Sequence, residues 1–191
     1  MSSNYVPNEE EQKTGGLMVE LYEWLEAIAF ALSIVVILFT FVFRVVSVSG
    51  PSMNPTLISG DRVILNSLFF TPSNGDIVVI TQPNSHDNEP LIKRVIAVEG
   101  QTIALDPEND TVTVDGVVLN ENYILEEDLK SAGNAYEYPL TVPKDKVFVM
   151  GDNRNDSFDS RADGLGMVDE DYIMGRAIFR IYPFERVGGL D

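Results

Sequence analysis

The chain lacks the residues on which several common kinds of active site depend. Its 191 residues include no cysteine and one histidine. Without cysteine there are no disulfide frameworks, thiol nucleophiles, thiolate zinc sites or cysteine-ligated iron–sulfur clusters. A single histidine excludes multi-histidine metal sites and makes any Ser-His-Asp triad depend on His86. We expect no metal and no cofactor, and an enzyme of this composition would work without the commonest catalytic base.

Positive charge is also scarce. The chain has 13 Lys+Arg against 30 Asp+Glu, which gives a net charge of -17. We expect no nucleic-acid partner, because binding a phosphate backbone requires a basic face. At 45% hydrophobic residues the chain is able to bury a core, and its length suits one domain with an appendage.

One long stretch, Ala27 to Phe43, contains 17 residues without a charge. As a helix it would span about 26 Å, and its flanks would extend it to the roughly 30 Å hydrocarbon core of a bilayer. Trp24 fits an interfacial aromatic belt, and the run has no polar face at the helical period. We predict a retained transmembrane anchor over residues 21–45. A buried core helix and a signal peptide cleaved after residues 47–49 are the alternatives.

The segment before the predicted anchor differs from it in composition. Residues 1–20 are polar and too short to fold alone, so we expect a tail. Basic residues give no orientation, because Lys13 precedes the span and Arg44 follows it.

Residues 46–191 have the pattern of a mainly β domain. Asp115-Gly116 lies between two β-branched runs, which indicates a type I′ hairpin. Residues 120–140 have the composition of an irregular insertion. Other short apolar runs bounded by turn residues predict strands at residues 62–65, 76–81, 91–98, 146–150 and 173–182.

A first candidate for chemistry is the segment SGPSMNPTL, residues 49–57. Pro51 and Pro55 fix the backbone on either side of Ser52 and remove two hydrogen-bond donors. The segment is therefore a stiff loop that could hold one hydroxyl in a set direction. An ordinary linker between anchor and domain is the alternative.

A second candidate is the predicted strand over residues 91–98. Strand alternation puts Lys93 and Arg94 on opposite faces, so one of them must point at an apolar surface. Burial lowers the pKa of a lysine, and a neutral amine beside a serine hydroxyl is able to replace histidine as general base. The alternative is a solvated lysine that protects a sheet edge.

A third segment, residues 151–164, holds four Asp and two Arg in 14 residues. Aspartate side chains build tight turns, and Arg–Asp pairs lock loops, so the segment could brace an active site. Calcium is a rival interpretation, but no window has the EF-hand spacing with its glycine. A solvated loop is the remaining alternative.

Taken together, these motifs resemble those of the bacterial type I signal peptidases, which are membrane-bound serine proteases with a Ser/Lys dyad. The resemblance covers residues 20–185 and implies a β-rich catalytic domain of the signal-peptidase/LexA-like type. The chain looks more like the single-anchor, Gram-positive form than the larger two-anchor members. Four motifs occur in the family's order: SGPSMNPTL at 49–57, GDRV at 60–63, KRVIAVEG at 93–100 and GDNRNDSFDSR at 151–161.

The resemblance implies a role for each motif residue. Ser52 would be the nucleophile and Lys93 the general base. Ser157 would hydrogen-bond and orient the Lys93 amine, and Asp159 and Arg161 would form an ion pair that supports the loop.

The substrates implied are preprotein signal peptides with small residues at the -1 and -3 positions. We expect Met53, Leu57, Leu91 and Ile92 to line shallow apolar pockets for them. Some members add a hydroxyl donor to the oxyanion hole two residues before the nucleophile, where this chain has Gly50.

The family's location implies a cytoplasmic N-terminus, an extracytoplasmic catalytic domain and the lipid bilayer as a partner. Two other functions stay open: a related Ser/Lys protease with one dedicated substrate, and an inactive membrane-tethered β domain that only binds. A Ser52–His86 pair is the rival assignment of the base.

Overall fold

A computed structural model describes residues 9–41, 43–68, 70–83, 89–125 and 135–190, without the side chains of residues 9–17, 38–41 and 43. His86 lies outside the described residues. By its internal contacts the chain divides into two units, Met1–Val42 and Phe43–Asp191.

The described residues of the first unit form one helix, α1, at Glu9–Phe41. The helix begins inside the predicted tail, because acidic residues at positions 9–11 favour a helix N-terminus and the following residues are mostly good helix formers. The helix ends at Phe41, and residues 43–47 are extended. Within the described residues, no helix combines the length and the apolar character that crossing a membrane demands.

The second unit is built from strands, as the sequence predicts. They are β1 (Phe43–Ser47), β2 (Arg62–Asn66), β3 (Ile77–Ile80), β4 (Leu91–Val98), β5 (Thr102–Asp106), β6 (Thr111–Val114), β7 (Val117–Val118), β8 (Leu140–Thr141), β9 (Lys146–Met150), β10 (Val168–Asp169), β11 (Ile173–Tyr182) and β12 (Gly188–Gly189). Single turns of 3₁₀-helix occur at Glu170–Tyr172 and Phe184–Arg186.

In the described parts of the chain these strands form two antiparallel sheets. The larger has the order β1-β2-β11-β3-β4-β9-β10, with β12 paired to β11, and the smaller has the order β7-β6-β5-β8. The mainly β prediction is confirmed. The sequence analysis did not expect β1, whose Val45 pairs with Ile64 of β2.

Local details of the smaller sheet also match the sequence. Asp115 and Gly116 have φ values of 50° and 80°, the positive values that a type I′ turn requires. The described parts of the predicted insertion, 120–125 and 135–139, contain no helix or strand, and Leu140 begins β8.

The loop that carries Ser52 is held by backbone hydrogen bonds between its two ends and by side chains buried in the core. Backbone hydrogen bonds join Val48 N to Asp61 O at 2.8 Å and Gly60 N to Val48 O at 2.9 Å, which closes the loop. Met53 and Leu57 are buried in a cluster with Val48 and core residues of β2, β3 and β4. The two ends of the loop are therefore fixed, and its buried side chains pack on the apolar core.

Candidate active site

Ser52 and Lys93, distant in sequence, meet through a direct contact between their side chains. The Lys93 Nζ lies 2.7 Å from the Ser52 Oγ and 3.0 Å from the carbonyl oxygen of Ile92. The first distance is that of a direct hydrogen bond, within reach of proton transfer.

Lys93 is buried because β4 is a central strand with core on both faces. Its neighbours are β3, where Val78 pairs with Lys93, and β9, where Met150 pairs with Arg94. Six of its eight residues are buried, and both basic residues are 2% exposed. Strand alternation required one buried basic residue, and the structure buries two.

The environment of Lys93 favours a neutral amine. Burial is the largest effect and lowers its pKa from 10.5 to about 8, against the carboxylates of Asp159 and Asp152, which raise it; Arg161 lowers it further. At pH 7 about a tenth of the amine is therefore unprotonated and able to accept a proton.

Asp159 and Arg161 form the ion pair that the resemblance implies. The guanidinium donates to both carboxylate oxygens, Nε to Oδ1 at 2.9 Å and Nη2 to Oδ2 at 2.8 Å, and both side chains are almost fully buried. Burial opposes the charge of Asp159, yet Arg161 and the backbone N–H of Gly151 hold its pKa below the usual value. A second Arg161 contact, to the Arg154 carbonyl at 3.0 Å, ties the loop together.

Ser157 lies beside the nucleophile segment but without the expected hydrogen bond to Lys93. Its hydroxyl is buried and, among the residues that the structure describes, meets no partner with hydrogen-bond geometry, although it is near enough to the Asp159 carboxylate to help lower the pKa of that group. Gly151 separates Ser157 from Ser52: a Cβ at Gly151 would overlap both the Ser157 hydroxyl and the Ser52 carbonyl oxygen.

A second buried pair, between Arg94 and Asp152, was not predicted from the sequence. Arg94 donates to the two Asp152 oxygens at 2.9 and 2.7 Å, and its guanidinium lies 4.0 Å from the ring centre of Tyr123. The signal was present, because a basic residue on each face of a buried strand requires a carboxylate partner. The 151–164 loop offers four aspartates, and the folded position of the loop against β4 decides which of them supplies the carboxylate.

A cleft of about 190 Å³ opens at Ser52 and Lys93. Leu91 and Ile92 line it, together with residues 46–49. Met53 and Leu57 do not line it: they are 1% and 0% exposed and belong to the core beneath the loop. The prediction is wrong for these two residues, because a tight turn after Ser52 directs both side chains inward.

The backbone conformation at residue 50 explains why glycine stands there instead of a residue with a hydroxyl donor. Gly50 has a φ of +83°, in the left-handed region, and a Cβ added there would have no atom within 4 Å. Space is available, but a serine would adopt a strained backbone conformation. Glycine is thus the residue that this particular loop geometry favours.

Comparison with known proteins identifies the family. A family described as signal peptidase, peptidase S26, matches residues 21–182. This chain belongs to the signal peptidase family, peptidase S26. It is 36% identical to signal peptidase I P of Bacillus subtilis subsp. natto, with 87% of this chain and 92% of that protein covered.

A further relative agrees with this membership of the signal peptidase family. Signal peptidase I of Bacillus licheniformis is 32% identical, over 95% of this chain and 99% of that protein. The crystal structure of a signal peptidase I from Enterococcus faecalis superposes on this chain with a TM-score of 0.44 and 28% sequence identity. The superposition includes 56% of this chain and 97% of that protein. The chain is therefore a peptidase, and removal of signal peptides is the activity that family membership supports.

Gly151→Ala tests the close contact between the two loops. The added Cβ has to displace the Ser52 backbone or the Ser157 side chain, and a misplacement of about 1 Å at a reacting group costs roughly a hundredfold in rate. We expect peptidase activity to fall by about that factor. The matched control is Gly188→Ala, where nothing lies within 4 Å of the new Cβ and activity should be unchanged. Equal activity of both variants would contradict the contact.

Proposed function

We propose that this chain cleaves signal peptides from preproteins with Ser52 as nucleophile and Lys93 as general base. The observation that carries the proposal is the 2.7 Å contact between the Ser52 hydroxyl and a buried Lys93 amine whose pKa is lowered to about 8. A lysine in this state performs the task that histidine has in a Ser-His-Asp triad.

The proposed reaction has two halves. Neutral Lys93 takes the proton of the Ser52 hydroxyl as its Oγ attacks the carbonyl carbon of the scissile peptide bond. The resulting ammonium returns that proton to the leaving amine, and an acyl-enzyme ester remains on Ser52. Water then attacks the ester, with Lys93 again accepting a proton, and releases the signal peptide and a free Ser52 hydroxyl.

Three further residues have proposed supporting roles. Asp159 and Arg161 brace the loop that lies against Ser52, as their buried bidentate pair supports. Ser157 is proposed to orient the Lys93 amine when substrate excludes water, since its buried hydroxyl lies across Gly151 from the Ser52 backbone. The backbone N–H of Ser52 is the proposed oxyanion donor.

We propose that the substrate binds as an extended strand in the cleft. Within the described sheet β1 is an edge strand, and the residues that follow it face the start of β4 across the cleft. An edge offers backbone donors and acceptors to an added strand. The small volume and the lining by Leu91 and Ile92 support small residues at the -1 and -3 positions.

Two substitutions test the assignment of nucleophile and base. Ser52→Ala should abolish processing of a purified preprotein. Lys93→Arg keeps a cation but cannot become neutral, so we expect a rate loss of at least about 10²–10⁴-fold. Processing is measured by gel separation of precursor and mature protein.

Two controls keep this test specific. Lys144→Arg makes the same change at a side chain that is 79% exposed, and it should leave the rate unchanged. His86→Ala should also retain activity. An active Lys93→Arg enzyme, or an inactive His86→Ala enzyme, would refute Lys93 as the base.

We further propose that α1 carries the larger part of the membrane anchor predicted for residues 21–45, with the catalytic domain on the extracytoplasmic side. The support is the run of 17 uncharged residues and the exposure of its apolar side chains, such as Phe30 at 69% and Leu32 at 59%. A helix that is apolar all round is stable in lipid rather than in water. The aromatic side chains of Tyr182 and Phe184, which are exposed in the β domain, suit a bilayer interface.

Charges placed at the centre of the run test the anchor. Ile34→Lys with Val35→Asp should move the protein from the alkaline-resistant membrane fraction to the supernatant, because each charge costs about 3 kcal/mol at the middle of a span. The control, Val117→Asp, alters an exposed residue of β7 and should stay with the membrane. Release of the unmodified protein by the alkaline wash would contradict the anchor.

A further inference from the structure

Thr56, four residues after Ser52, is held from two sides. Its hydroxyl donates to the Asp152 carboxylate at 2.5 Å. Its carbonyl oxygen accepts hydrogen bonds from Arg180 Nη1 at 2.7 Å and from Arg186 Nη2 at 3.3 Å. One residue therefore joins the nucleophile loop to two separate parts of the domain.

The hydroxyl of Thr56 meets an acceptor that is itself immobilised. The Asp152 side chain is 1% exposed and holds a bidentate pair with Arg94 of β4, the strand that carries Lys93. The next residue, Asn153, donates its backbone N–H to the Ser52 carbonyl at 3.0 Å. The loop is thus attached at both Ser52 and Thr56 to a segment that is fixed to the strand of the base.

The carbonyl side of Thr56 is held by the C-terminal part of the chain. Arg180 lies in β11, and Arg186 lies in the helical turn that follows it. Both arginines pair with the buried carboxylate of Asp61, and Arg186 also donates to the Pro55 carbonyl at 3.2 Å. The two guanidiniums thereby fix the backbone of residues 55 and 56 against the end of the same loop.

Between Ser52 and Thr56 the backbone has little freedom. Asn54 N donates to Pro51 O at 2.9 Å, and Leu57 N donates to Met53 O at 2.8 Å. Two consecutive turns therefore connect the hydroxyl that reacts with the residue that is clamped.

We propose that Thr56 is a positioning residue of the peptidase, which sets the Ser52 hydroxyl against the Lys93 amine through two attachments, the hydrogen bond of its hydroxyl to Asp152 and the arginine contacts of its carbonyl oxygen. The proposal rests on the proposed function of Ser52 and Lys93. Thr56 is not among the residues that line the cleft, so it acts on the reacting groups and not on substrate binding. A merely structural role would lower stability but leave the turnover of the folded enzyme intact.

Two substitutions separate the hydroxyl from the shape of the side chain. Thr56→Val keeps the branched shape and removes the donor, and Thr56→Ser keeps the donor and removes a methyl group. We expect kcat of Thr56→Val on a preprotein to fall by about tenfold or more with KM within about twofold of the original, because positioning affects the chemical step. Thr56→Ser should retain kcat within about threefold.

A threonine outside the site supplies the matched control. Thr81 donates its hydroxyl to the Tyr172 carbonyl at 3.3 Å in an exposed position, so Thr81→Val should leave kcat and KM unchanged. Should Thr56→Val not fold, Arg186→Met decides, since it loosens the carbonyl side and its side chain is 31% exposed. We expect a several-fold lower kcat with KM unchanged.

Different outcomes would refute the positioning role of Thr56 and the proposed function. A Thr56→Val enzyme with unchanged kcat, a Thr56→Ser enzyme as impaired as Thr56→Val, or a loss confined to KM would overturn the positioning role. If Thr56→Val does not fold, an unchanged kcat of Arg186→Met would do the same. Processing by a Ser52→Ala enzyme would instead refute the function on which the proposal rests.

Discussion

The amine of Lys93 is removed from water, and most of the site's construction is a consequence of that burial. Desolvation favours the neutral amine, whereas the nearby carboxylates of Asp152 and Asp159 favour the ammonium. Each carboxylate is neutralised by a bidentate arginine, Arg94 for Asp152 and Arg161 for Asp159. The pairs limit how far the carboxylates raise the pKa of the base, so burial prevails.

This balance explains why the loop at 151–161 is acidic although it adjoins a base that must lose a proton. Its carboxylates serve as attachment points: Asp159 accepts the Gly151 N–H, and Asp152 accepts hydrogen bonds from Arg94 and Thr56. Charges in such close pairs act on Lys93 as nearly neutral groups, whereas unpaired acids would favour its ammonium. The chain's net charge of -17 is thereby compatible with a neutral lysine.

Much of this could be predicted from sequence where local rules suffice. The strand β4 and the Asp115-Gly116 hairpin follow from alternation and turn chemistry, whereas the association of Ser52 with Lys93 was implied by the resemblance to the signal peptidases. Pairings set by tertiary register could not be predicted, such as Arg94 with Asp152, because several aspartates were equivalent in sequence. The inward direction of Met53 and Leu57 was likewise missed, since it depends on the turn after Ser52 and not on hydrophobicity.

The central claim is that Lys93 titrates far below an ordinary lysine in the folded protein. The direct measurement is a pH titration of its side-chain nitrogen by NMR, with the signal assigned by its loss in Lys93→Arg. The predicted pKa is about 8, against 10.5 for an unperturbed lysine. A Lys93 pKa that stays near 10.5 would contradict the account, because the neutral fraction of the amine at pH 7 would then be several hundredfold smaller, about one in three thousand instead of about one in ten.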